Sequence, residues 1–120
     1  MAGRALLGLS LALAFGGAAL AHPMLRTSTP ARGAVIKSSP KEIRVSFSEG
    51  VSARVSTFAL TDAGRAPVAL TPALSDPKDS KTLILKTVRP LAPGAYALRW
   101  KVGSDEHASV PGTLRFEIKP

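Results

Sequence analysis

Beyond its first 21 residues the sequence has two histidines, His22 and His107, and each stands beside residues that could make it a metal ligand. His22 directly follows Ala19-Leu20-Ala21. If the chain is cut after Ala21, the α-amine and the imidazole Nδ1 of His22 can close a six-membered chelate ring on one metal ion, the arrangement called a histidine brace. Pro23 carries no backbone N–H, so a metal held there cannot recruit a deprotonated amide and must find its other ligands elsewhere in the fold. Asp105 and His107 are the candidates. They are spaced i and i+2, and in extended backbone both side chains project to one side. An amine nitrogen, two imidazole nitrogens and a carboxylate oxygen suit a tetragonal Cu(II) ion and lack the sulfur that Cu(I) prefers. Copper(II) also heads the divalent affinity order. Zinc accepts the same donors in a tetrahedral arrangement and stays open as an alternative.

Neighbouring residues have plainer readings. Glu106 lies between the pair and points to solvent in an extended segment, unless it substitutes for Asp105. Glu49 closes a strand as a solvated or capping charge. Met24 reads as a strand side chain, because a Cu(I) thioether site needs several methionines and this one stands alone beyond Met1. Trp100 reads as core.

Whether His22 is a terminus depends on the first residues. Met1–Arg4 supplies one positive charge, Ala5–Phe15 is apolar and uncharged, and small residues follow up to Ala21. That is the layout of a cleaved secretory signal peptide, residues 1–21, and the apolar run is shorter than the roughly 20 residues a membrane-spanning helix needs. A cut after Ala21 fits best; Gly17-Ala18-Ala19 offers a competing cut two residues earlier. Removing 21 of the 120 residues leaves 99, enough for one small domain, residues 22–120.

With Arg4 gone, 15 of the 16 Lys and Arg remain against 8 Asp and Glu, a formal charge of +7. The basic residues are scattered, often alternating with apolar ones, as on a solvated strand face. An exported chain with few aromatics to stack bases is not expected to bind nucleic acid; an acidic partner or anionic surface is compatible with the charge. There is no cysteine, so the fold has no disulfide and any metal is held by nitrogen, oxygen or a thioether.

The elements that must position these residues read as strands. Ile43, Val45 and Phe47 alternate with Arg44 and Ser46, which puts three apolar side chains on one face. Tyr96, Leu98, Trp100 and Val102 share a face of a second strand, and Leu114, Phe116 and Ile118 of a third. Shorter strands are expected at Leu25–Ser28, Val55–Leu60, Pro67–Leu70 and Thr82–Thr87, bounded by turn formers such as Asp62-Ala63-Gly64 and Asp76-Pro77-Lys78. About seven short strands with turns between them predict an all-β antiparallel sandwich of Greek-key type. The Ala and Pro content of Ala66–Pro77 predicts a long, mobile surface connection.

Taken in order, these residues resemble the CopC family of periplasmic copper-resistance proteins. The N-terminal half is carried by His22-Pro23, Ser28-Thr29-Pro30-Ala31, Gly33, Ser39-Pro40 and Ile43-Arg44-Val45-Ser46-Phe47-Ser48-Glu49. The C-terminal half is carried by Leu91-Ala92-Pro93-Gly94, Tyr96, Trp100, Ser104-Asp105-Glu106-His107, Gly112 and Phe116. The resemblance implies an immunoglobulin-like fold and a single Cu(II) ion held by His22, Asp105 and His107. Some members add a Cu(I) site in a methionine-rich loop; Asp62–Ser75 has no Met, so the chain resembles the Cu(II)-only branch. It departs from the family pattern at Ala108–Gly112, where members usually have Pro directly after the ligand histidine and one residue fewer before Gly.

The resulting expectation is a periplasmic, monomeric copper-binding protein, without enzymatic turnover. It would sequester the ion or exchange it with an inner-membrane transporter of the CopD type or another copper protein. A histidine-brace monooxygenase and a metal-free sandwich module binding a partner are the alternatives.

Overall fold

The structure, a computed structural model, describes residues 22–120; the signal-peptide expectation for residues 1–21 falls outside them. The strands among these residues are β1 (Leu25–Thr29), β2 (Val35–Ile36), β3 (Ile43–Phe47), β4 (Thr57–Thr61), β5 (Pro67–Val68), β6 (Leu74–Asp76), β7 (Asp79–Leu85), β8 (Gly94–Ser104) and β9 (His107–Ile118). They form two sheets, one ordered β1-β3-β7-β6 and the other β2-β9-β8-β4-β5, packed as a β-sandwich. Pairing is antiparallel throughout except for β2 beside β9.

The strands with the clearest alternation supply the core. Ile43, Val45 and Phe47 of β3 are buried against Tyr96, Leu98, Trp100 and Val102 of β8 and Leu114, Phe116 and Ile118 of β9. Arg44 and Ser46, and Arg99 and Lys101, lie on the outward faces, as the two-residue period requires. Phe47 meets Trp100 edge to face with ring centroids 5.7 Å apart, joining the two sheets beneath the end where β3 runs out. Trp100 has room because its cross-strand partner is Gly112: a Cβ there would overlap the indole. At the opposite end of β8, Tyr96 stacks on Phe116 and its hydroxyl donates to Ala92 O at 2.7 Å, which closes the corner leading into the strand.

Two expectations are corrected. Ala66–Pro77 is not a loose connection: it contains β5 and β6, Leu70 bridges Thr87, and Thr71 N–H donates to Lys86 O at 2.8 Å. Ala and Pro there lower strand propensity, but pairing with β4 and β7 satisfies the backbone regardless. The strand expected from Val55 begins at Thr57, because Ala53–Val55 is a 3-10 turn held by Ser56 Oγ donating to Ser52 O at 2.6 Å.

The β8–β9 hairpin carries a bulge that bears on the site. Val102 pairs with Val110 but Ser104 with His107, so three steps along β9 answer two along β8. The extra residue at Ala108–Ser109 is accommodated there, and it brings His107, not Ala108, opposite Ser104. The additional residue in Ala108–Gly112 therefore leaves the register of the strand below it unchanged.

Candidate metal centre

One end of the sandwich gathers the segments that carry the candidate ligands. Met24 N–H donates to Ser48 Oγ at 3.0 Å, and Ser48 N–H donates back to Met24 O at 2.8 Å. These two bonds tie the chain just after His22-Pro23 to the chain leaving β3. Pro23 is buried and His22 is exposed. Met24 precedes β1 and is 67% exposed, so it is not the strand side chain its sequence context suggests.

From Ser48 the backbone crosses to the other sheet. Val51 N–H donates to Ser80 O at 3.1 Å at the start of β7, and Ser52 N–H donates to Gly103 O at 2.8 Å on β8. Gly103 N–H answers by donating to Ser56 Oγ at 3.2 Å. Residues 48–56 are thus a strap from the segment that follows His22-Pro23 to the tip of the β8–β9 hairpin.

At that tip Asp105 and Glu106 are the two turn residues between Ser104 and His107, and Glu106 N–H donates to Ser104 Oγ at 3.2 Å. The expectation that Asp105 and His107 share one side of an extended segment is therefore corrected. A two-residue hairpin loop reverses the chain at Asp105, and only His107 is in a strand. The backbone of His107 opens β9; its side chain is outside what the structure describes.

A shallow depression of about 410 Å³ lies between strap and turn, lined by Glu49, Asp105 and Glu106 together with Ser52, Ser80 and Ser104. Among the described residues no three His, Asp or Glu side chains converge as a ready ligand cluster. The Met24–Ser48 bonds and residues 48–56 thus bring the segment bearing His22 and the turn to the same end of the sandwich. Asp105 meets Arg54, whose guanidinium Nη2 donates to Asp105 Oδ1 at 2.6 Å, with the two side chains 73% and 67% exposed. Sequence reasoning missed Arg54, and nothing in its local context distinguishes it from the other scattered basic residues.

The donor chemistry available here is oxygen and nitrogen without thiolate, as the absence of cysteine dictates. Such a set fits a borderline-hard divalent ion and fits Cu(II) best of all. A carboxylate beside imidazoles would also offset part of the ion's charge.

Comparison with known proteins adds a family. Residues 25–119 match the model of the CopC domain. Copper resistance protein C of Pseudomonas syringae pv. tomato is 31% identical over 106 residues, spanning 84% of this chain and 83% of that protein. Protein YobA of Escherichia coli K12 is 31% identical over 99 residues, spanning 82% and 80%. Among solved structures, PcoC, a methionine-rich copper resistance protein from Escherichia coli, superposes with a TM-score of 0.74 at 27% identity, covering 82% of this chain and 100% of that one. CopC from Methylosinus trichosporium OB3b superposes with a TM-score of 0.75 at 25% identity, covering 82% and 95%.

Proposed function

This chain belongs to the CopC domain family, and on that premise we propose that it is an exported copper-binding protein that holds one Cu(II) ion at its mature N-terminus through His22, Asp105 and His107. His22 supplies its amine and imidazole, His107 a second imidazole, and Asp105 an anionic oxygen. The role is capture and release of the ion in the periplasm without turnover, in exchange with a CopD-type transporter or another copper protein. Relatives named copper resistance protein C support copper as the cargo.

The observation that carries the reading is the strap. The Met24–Ser48 bonds at one end and the Ser52–Gly103 bond at the other link the segment bearing His22 to the turn bearing Asp105. A free terminus gains little by being tied near a hairpin tip unless the two act together. Two short hydrogen-bonded anchors lower the entropy lost when the terminus and the turn close on one ion. Since ligating amine and imidazole groups must be unprotonated, uptake releases protons and weakens in acid.

The decisive experiment uses two forms of the mature chain, one starting at His22 and one with a Met before it, titrated with Cu(II) while Trp100 fluorescence is followed. The extended form is expected to bind more weakly, by more than the roughly 10- to 100-fold that loss of an outer-shell partner brings. Equal affinity of the two forms would refute the brace.

A further inference from the structure

Resting on the reading of Asp105 as a ligand, we propose that Arg54 is the resident counter-ion of that carboxylate in the metal-free protein, and that Cu(II) displaces it on entry. Arg54 then sets how tightly the ion is held and makes that affinity respond to salt.

The pairing is built in, although its two residues are far apart in sequence. Arg54 lies in the 3-10 turn Ala53–Val55, and both flanks of that turn are fastened to Gly103, two residues before Asp105. On one flank Ser52 N–H donates to Gly103 O, and on the other Gly103 N–H donates to Ser56 Oγ. Ser56 Oγ also donates to Ser52 O, which closes the turn on itself. The backbone therefore delivers the guanidinium to the hairpin tip, where Nη2 takes Asp105 Oδ1 at 2.6 Å.

Magnitudes decide between two roles. Both partners are mostly exposed, so water screens the pair and holding it costs the protein little to give up. A guanidinium that stayed on Oδ1 would face a doubly charged ion across one carboxylate. That repulsion exceeds the gain from one exposed hydrogen bond. Displacement is the favoured outcome. Because a guanidinium does not lose its proton in a protein, its competition with the metal is tuned by ionic strength and not by its own titration.

The test is a cycle of four mature chains beginning at His22: wild type, Arg54→Ala, Asp105→Asn and the double variant. Each is titrated with Cu(II) at low salt and at high salt, with thermal melting as the folding control. Arg54→Ala is expected to bind Cu(II) up to about 5-fold more tightly at low salt. The gain should vanish at about 0.5 M salt, where the Debye length is only a few ångström. In the Asp105→Asn background, Arg54→Ala should bring no gain. A second readout needs no metal: the Arg54 side-chain N–H resonance should shift in Asp105→Asn. Unchanged or weaker binding by Arg54→Ala, with Asp105→Asn still impaired, would overturn the counter-ion role and leave the ligand reading intact. Full affinity in Asp105→Asn would overturn the ligand reading, and displacement with it.

Discussion

Among the described residues, two arginine–aspartate pairs of the same chemistry lie in different settings. Arg44 on β3 reaches Asp76 at the end of β6, and also Glu42, on the outer face of the four-stranded sheet. Asp76 is only 13% exposed there and accepts Lys78 N–H at 2.9 Å as well. That backbone donor first, and Arg44 second, hold its carboxyl below the ordinary value, with partial burial opposing them. Arg54 and Asp105 meet at a hairpin tip, largely in water. In the first pair both terminal nitrogens of Arg44 and both carboxylate oxygens of Asp76 are engaged, which ties β3 to the turn that ends β6. In the second, one exposed contact occupies a carboxylate that a stronger partner can claim. An ion pair's role is thus set less by its two residues than by what else holds them.

That contrast can be broken at several levels. The largest expected effect is on the sheet beneath the first pair: Leu83 on β7 is fully buried and pairs with Val45, so Leu83→Ala should cost about 2–5 kcal/mol in denaturant unfolding. Copper affinity measured well below the unfolding transition should change little.

Next, Asp105→Ala should weaken Cu(II) binding by at least about 10-fold and leave the melting temperature unaltered. Asp76→Ala should do the reverse, lowering the melting temperature and sparing copper. If both variants lost both properties, the contrast would not stand.

A smaller effect concerns acid. Asp79, like Asp76, is held below the ordinary carboxylate value, first by Lys81 N–H and then by the Thr82 hydroxyl. Lowered folded values stabilise the protein above the unfolded value, and this contribution is lost as pH falls through the folded value. Stability should therefore decline below about pH 4. Asp76→Asn should flatten part of that decline in acid unfolding curves, whereas the wild-type slope retained in full would deny Asp76 its share.

Much of the fold was readable because burial of one face leaves a two-residue rhythm. Ile43–Phe47 matches β3 residue for residue, and the apolar sets of β8 and β9 line the core as their alternation requires. The brief strands β2 and β6 left no such trace: two and three residues cannot show a period, and their neighbours' backbones decide their fate. At the candidate metal centre, residue type, the i and i+2 spacing and the place just after Ala21 marked His22, Asp105 and His107. What stayed hidden was geometry. The hairpin turn at Asp105–Glu106 looked like extended chain, and Arg54 lies 51 positions from the carboxylate it meets. That pairing depends on contacts among Ser52, the Ser56 hydroxyl and the Gly103 backbone that carry no compositional signal.

The bulge at Ala108–Ser109 has a consequence for how such a domain can change over generations. A residue gained or lost within a regular strand inverts every side chain beyond it, turning core outward. Between His107 and Val110 the chain already carries an unmatched residue, while Leu114, Phe116 and Ile118 keep their partners on β8. Length can therefore drift here without the core registering it. The tip can vary while the sandwich beneath it is inherited intact.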